Sequence, residues 1–137
     1  MEFNTICVHG SSHSYDKTGS VSVPIFQTAT FAHPGVGQST GYDYSRVQNP
    51  TREYLEETMA RLEQGKEALA FSSGMAAISA VMELFSPGDH IICSDDLYGG
   101  SHRLFHHINV KNGLSFTSVN TSYLEQIEAA ILSYTHL

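Results

Sequence analysis

An α/β fold with a parallel sheet follows from three features of this 137-residue chain. From Asn49 onward, short apolar runs alternate with stretches of helical period. Turn residues punctuate them. One apolar run passes straight into a helix through Ser72-Ser73-Gly74. Strands separated by helices imply parallel pairing and an α/β sheet. Three such strands are few for a sheet that needs both faces and both edges covered. The expected architecture is therefore an arm followed by the opening of a larger α/β domain.

Residues 1–48 carry no helical period and are rich in Ser, Thr, Gly and His, with short apolar pieces at Val21–Phe26 and Thr30-Phe31. So long an irregular stretch is uncommon inside a compact domain. It is read as an extended arm that packs on something else, such as a partner subunit. Residues 49–137 are read as the α/β part.

Asn49-Pro50 opens the first helix, with a capping side chain and then proline at the first helical position. Leu55, Met59 and Leu62 share one face, and Gly65 is the expected stop. Glu67–Ser72 reads as a buried strand. Met75, Ile78, Val81, Met82 and Phe85 form the next helical stripe, closed by the turn Ser86-Pro87-Gly88-Asp89. His90–Ser94 is a second strand. A third helix is expected from about Asp96 through Arg103 to Ile108. Leu114–Val119 is a third strand. Ser122 with Glu125 spells a capping box, and Leu124, Ile127 and Ile131 form the stripe of a last helix.

Seven Lys plus Arg against fourteen Asp plus Glu give a net charge of −7. Such a chain is a poor general binder of nucleic acid or of anionic membranes. No apolar run reaches the roughly 18 residues of a membrane span. The N-terminus shows neither the basic nor the apolar region of a signal peptide. Cys7 and Cys93 are the only cysteines. Two isolated thiols suit a reducing cytoplasm and exclude a disulfide scaffold. His102 and His106 lie four apart on an expected helix, but no His-Glu-x-x-His pattern or third ligand accompanies them, so no metal site is expected.

Phe71–Ala77 is the most informative local stretch. A strand entering a helix through small residues leaves backbone N–H groups pointing outward, and the helix dipole adds positive charge. That is a place for an anion such as phosphate. Taken alone, Ser-Gly here is equally what a plain helix cap uses. Neither Gly-x-Gly-x-x-Gly nor Gly-x-x-x-x-Gly-Lys is present, so dinucleotide and P-loop binding are unsupported.

Four segments in register resemble the trans-sulfuration family, the pyridoxal-phosphate enzymes of cysteine and methionine metabolism. They are Thr18–Phe31, Tyr42–Arg52, Ala68–Ile78 and Asp95–Phe105. The resemblance runs over about residues 5–132. It implies the large domain of the aspartate-aminotransferase type (fold type I), preceded by an arm that reaches a neighbouring subunit. It implies a phosphate cradle at Ser73, Gly74 and Met75. Tyr98 would lie over the pyridine ring and take part in proton transfer. Tyr44 and Arg46 would reach across to the other subunit's phosphate. By residue chemistry alone, Tyr44 could be packing, Arg46 a solvated charge and Tyr98 a half-buried cap.

The resemblance also implies a Schiff-base lysine, a carboxylate for the pyridine nitrogen and a substrate-gripping arginine, all beyond residue 137. Lys17, Lys66 and Lys111 match none of these, so the chain is expected to be inactive alone. Within the family, Asp43 and Arg103 resemble substrate-side residues of the cystathionine γ-synthases. Gly100 stands where methionine γ-lyases carry cysteine. Met75 stands where many O-acetylhomoserine sulfhydrylases carry glutamine. Val47 stands where enteric β-lyases carry arginine. The implied reaction is γ-replacement on an O-acylhomoserine by cysteine in a cytoplasmic homotetramer. Cystathionine γ-lyase, β-lyase and O-acetylhomoserine sulfhydrylase are the alternatives, and a non-catalytic interaction module is the alternative of another class.

Overall fold

The structure, a computed structural model, describes residues 2–10 and 19–136. Lys17 and the Thr18 that opens the arm motif lie outside the described residues. The chain divides into two compact units, Met1–Ala70 and Phe71–Leu137.

In the first unit, helix α1 spans Phe3–His9 and helix α2 spans Pro50–Leu62. The α1 helix was not expected, because its sequence has no apolar stripe and buries no residue. A tertiary contact holds its end instead: the Tyr54 hydroxyl donates to the His9 carbonyl at 2.6 Å. Asn49 caps α2 as expected, its Oδ1 accepting from the Thr51 N–H at 2.9 Å. Its Nδ2 donates to the Phe26 carbonyl and to Ser45 Oγ, so one side chain ties the arm to the helix.

The other end of α2 differs from expectation. Gln64, not Gly65, takes the left-handed conformation, with φ of 55°. Gly65 follows it and donates its N–H to the Ala60 carbonyl at 2.8 Å, the 6→1 bond of a Schellman cap. The buried residues of α2 are Pro50 and Ala60. Leu55 and Met59, expected in the core, are half exposed and line a shallow hollow with Leu69.

The expected strand at Glu67–Ser72 does not form. The run has no strand beside it among the described residues. Its Ala70 N–H goes to the Glu56 carboxylate at 2.8 Å. Apolar residues can predispose a segment to extend, but a strand exists only where a partner ladder does.

The second unit holds a three-stranded parallel sheet of β1 (His90–Ser94), β2 (Ser115–Val119) and β3 (Thr135–His136), in the order β2-β1-β3. Register places His90 opposite both Ser115 and Thr135. Helix α3 spans Gly74–Met82. Helix α4 begins at Gly99, later than expected, because Asp95 and Asp96 are used by the end of the sheet. The Asp95 N–H donates to the Val119 carbonyl, and the Asp96 N–H donates to Ser94 Oγ. After Arg103, α4 runs on as a π-helical turn, Leu104–Ile108, and a 3₁₀ turn, Asn109–Asn112. Gly113, with φ of 90°, ends it.

Helix α5 (Leu124–Ala130) lacks the expected capping box. Asn120 Oδ1 takes the Ser122 N–H at 3.0 Å. That Asx turn moves the cap position on to Tyr123 and leaves Glu125 one place short of a reciprocal bond. The core is Met82, Ile91, Phe105 and Leu114, with Ile78, Phe85, Cys93 and Phe116 packed against it. Phe105 and Phe116 stack with ring centroids 4.9 Å apart. This core fixes α3 and α4 on the sheet, and both carry site residues at their N-termini.

Candidate functional site

Ser73 is the N-cap of α3. Its extended backbone lets Oγ accept from the Ala76 N–H at 3.1 Å, while its carbonyl accepts from the Ala77 N–H. The side chain thereby satisfies one of the helix's four orphan donors, and the Ala77 N–H makes the first regular helical bond. The Gly74 and Met75 amides have no acceptor among the described residues. The Ser73 hydroxyl keeps its own proton free to donate. A methyl placed on Gly74 would meet nothing within 4 Å, so the space over the helix end is open. Two amides, one hydroxyl and a positive helix end form a set made only of donors. That set fits a phosphate and offers nothing to a cation.

Tyr98 lies at the start of α4 and is 72% exposed. Its ring rests against Gly100. A methyl on Gly100 would lie 2.5 Å from Tyr98 Cε1 and 3.0 Å from Met75 Sδ. The same spot therefore touches the aromatic ring and the second residue of the cradle. Ser101 Oγ, buried, sits 4.0 Å from Met75 Sδ and holds the first turns of α3 and α4 together. The Met75 side chain and the Tyr98 ring thus meet at Gly100. Arg103, one turn further along α4, is exposed and donates through Nε to the Gly99 carbonyl at 3.2 Å.

Asp43, Tyr44 and Arg46 belong to the first unit. Thr30 pairs antiparallel with Tyr44, and the Phe31 N–H donates to the Asp43 carbonyl at 3.0 Å. The Asp43 carboxylate stands 3.0 Å from His33 Nε2 on the loop between. The Arg46 guanidinium lies over the Tyr44 ring, 5.0 Å from its centroid.

Arg52 is the residue that sequence reasoning missed. Its guanidinium donates to the carbonyls of Ser45, Arg46 and Val47, at 3.0, 3.5 and 2.6 Å, and pairs with Glu56. It fixes the backbone that presents Tyr44 and Arg46. A signal existed: an arginine in a helix's first turn opposes the macrodipole. Such a placement points to a bond made elsewhere.

His102 and His106 face each other with ring centroids 4.3 Å apart. Among the described residues, no three His, Cys, Asp or Glu side chains converge on a metal position, and no helix is long and apolar enough to cross a membrane. Lys66 and Lys111 are exposed and lie away from the cradle residues in sequence.

The model of the Cys/Met metabolism PLP-dependent enzyme family matches residues 4–137. The chain belongs to this family. It is 49% identical over 131 residues to cystathionine gamma-lyase of Bacillus subtilis, covering 96% of this chain and 35% of the relative. It is 45% identical over 135 residues to a probable cystathionine gamma-synthase of Herpetosiphon aurantiacus, covering 98% and 42%. The crystal structure of metB from Corynebacterium glutamicum superposes with a TM-score of 0.90 at 40% identity, covering 98% of this chain and 36% of that one. The chain therefore spans about a third to two-fifths of the length of the family members it matches. Its fold is that of the fold-type I enzymes, arm first and then the start of the large α/β domain. The family depends on pyridoxal phosphate, and the donor set at α3 has the chemistry that this cofactor's phosphate requires.

Proposed function

We propose that this chain, arm 1–48 and α/β part 49–137, supplies the phosphate cradle and ring-facing tyrosine of a trans-sulfuration enzyme. The observation that carries the reading is the open end of α3. It carries two unpaired amides, and the side chain of its second residue, Met75, meets the Tyr98 ring at Gly100, in a family that uses a phosphate-bearing aromatic cofactor. In this reading Gly74 and Met75 donate their amides, and Ser73 its hydroxyl, to the phosphate oxygens. Tyr98 lays its ring along the cofactor and holds or passes a proton at Oη. Tyr44 and Arg46 serve the phosphate of a partner subunit, within a homotetramer. Asp43 and Arg103 are the substrate-side residues of this reading, as their resemblance to the cystathionine γ-synthases implies.

Pyridoxal phosphate, when bound, supplies an electron sink. The lysine that holds it is assigned to chain beyond residue 137. The favoured activity is that of a cystathionine γ-synthase in the cytoplasm. The sulfur of cysteine forms a bond to Cγ of an O-acylhomoserine, the Cγ–O bond breaks, and the acyl group leaves as a carboxylic acid with the thiol proton. Substrate-side Asp43 and Arg103 favour this. The 49% identity to a protein named cystathionine gamma-lyase favours cleavage of cystathionine as the second reading.

The test is an assay of the whole protein carrying this segment. Cystathionine formed from O-acylhomoserine and cysteine supports synthesis. Turnover of cystathionine alone, with no synthesis, supports the second reading. Shared sites are checked by mixing. Arg46→Ala subunits should bind cofactor more weakly, by about 1.5–3 kcal/mol for a charge-assisted bond. Mixed with subunits lacking the Schiff-base lysine, they should regain activity, because an Arg46→Ala subunit's pocket then receives an intact arginine from its neighbour. No recovery despite proven subunit exchange would remove the cross-subunit role.

A further inference from the structure

The loop from Phe31 to Asp43 is closed at its base. Thr30 pairs antiparallel with Tyr44, the Phe31 N–H donates to the Asp43 carbonyl at 3.0 Å, and the Ser45 N–H donates to the Ala29 carbonyl at 2.9 Å. The Phe31 and Tyr42 rings lie 5.4 Å apart between centroids, and the Tyr42 hydroxyl donates to the Glu53 carboxylate on α2. Just beyond this base His33 and Asp43 face each other, Nε2 to Oδ1, at 3.0 Å. Both line an open hollow of about 540 Å³ together with residues 35–39, and among the described residues no other titratable group lines it.

The pair has a direction. An ionised carboxylate only accepts, so the proton between the two side chains belongs to His33 Nε2. Ser39 Oγ stands 3.5 Å from the same carboxylate oxygen, and Ser39 Oγ in turn accepts from the Gly41 N–H at 3.0 Å. The other oxygen, Oδ2, has no partner among the described residues, and the Asp43 side chain is 67% exposed. A carboxylate held by one oxygen keeps the other free for a donor. The pair adds little to stability, because exposed ion pairs gain little over their hydrated partners. What it fixes is the orientation of the carboxylate.

We infer that His33 is the positioning residue of Asp43: by holding Oδ1 it presents Oδ2 to a donor-bearing group of the substrate, such as the ammonium of an amino acid. The inference rests on the reading of Asp43 as a substrate-side residue. His33 touches no substrate atom in this account.

The test uses the whole protein carrying this segment, in its own reaction, with the variants His33→Gln, His33→Phe, Asp43→Asn and the double variant His33→Phe/Asp43→Asn. KM and kcat are measured for O-acylhomoserine, or for cystathionine where that is what the protein turns over. Glutamine puts an amide N–H near the place of Nε2, whereas phenylalanine keeps a ring and carries no donor. His33→Phe should raise KM about two- to tenfold, the range of one hydrogen bond. It should leave kcat within about twofold, because a loosened carboxylate weakens substrate and transition state alike. His33→Gln should stay within about twofold of the parent in both constants. Asp43→Asn should raise KM about tenfold or more, and in that background His33→Phe should add nothing.

A parent-like KM in His33→Phe, where Asp43→Asn raises it, would overturn the inference. So would a KM increase of equal size with and without the Asp43 carboxylate, or a His33→Gln enzyme as impaired as His33→Phe. An unchanged KM in Asp43→Asn would remove the substrate-side reading of Asp43, and the inference with it.

Discussion

His90 should be the costliest polar side chain to remove from the second unit. It is 3% exposed, at the first position of the central strand. Its Nδ1 lies 2.8 Å from Thr135 Oγ1 on β3, and its Nε2 lies 2.7 Å from Thr117 Oγ1 on β2. A neutral imidazole has one donor and one acceptor, and a hydroxyl can meet either, so both nitrogens are satisfied. One ring therefore bolts both neighbours to β1, and β3 has only two residues of ladder to hold it otherwise. His90→Ala removes two neutral hydrogen bonds, each contributing about 0.5–1.5 kcal/mol, and leaves the half-buried Thr117 hydroxyl short of a partner, while Thr135 Oγ1 still accepts from the Leu132 N–H. The edge-to-face contact with Tyr134, at 6.1 Å between centroids, goes as well. The expected loss is roughly 2–3 kcal/mol, or about 10–20 °C in melting temperature for a unit of this size. Urea unfolding followed by circular dichroism measures it, and a double-mutant cycle with Thr117→Val isolates the bond to β2. Thr117→Val should cost about 1 kcal/mol in the parent and nearly nothing in His90→Ala. A His90→Ala loss below about 0.5 kcal/mol, or strict additivity with Thr117→Val, would refute the bolt.

Asn49→Ala should destabilise the first unit by about 1–3 kcal/mol, because it removes both the cap of α2 and the tie to Phe26. Asn49→Asp should keep the cap and lose only the tie, and thermal melts will separate the two. Gly113→Ala should cost about 1–2 kcal/mol in urea unfolding, since its φ of 90° disfavours a side chain and a methyl would lie 3.0 Å from Pro87 Cβ. Gly74→Ala should leave melting unchanged, because its methyl meets no protein atom, yet weaken binding of inorganic phosphate measured by calorimetry. Equal phosphate affinity in the two proteins would place the anion elsewhere.

What was legible in the sequence was local. Asn49 announces α2 because its cap bond spans two residues, and Ser73 announces α3 because its bond spans three. His90–Ser94 and Ser115–Val119 read as strands because apolar character and turns bound them. The N-terminal end of α3 was readable as a set of backbone donors before any geometry. What was hidden depended on distant partners. Glu67–Ser72 has the composition of a strand and lacks a ladder among the described residues. Leu55 and Met59 keep helical spacing, yet Ala60 takes the buried position. Ser122 and Glu125 spell a capping box, but Asn120 competes for the Ser122 amide and wins. Arg52 looks like a surface charge until the three carbonyls it gathers are seen. Nothing in residues 3–9 marks α1, since its tie is the side chain of Tyr54, 45 residues away.

The central place of β1 also imposes an order on how the sheet assembles. The two bonds of His90 span 27 residues to β2 and 45 to β3. Closing the longer loop costs only about 0.5 kcal/mol more than the shorter, because closure entropy grows with the logarithm of length. Chain entropy therefore barely discriminates between the two pairings. The reward is concrete for one of them: β2 pairs with β1 over five residues and brings Phe116 to the core. The β1–β2 pair, with α4 between its strands in sequence, is therefore expected to form early, and its amides should be among the slowest to exchange with solvent.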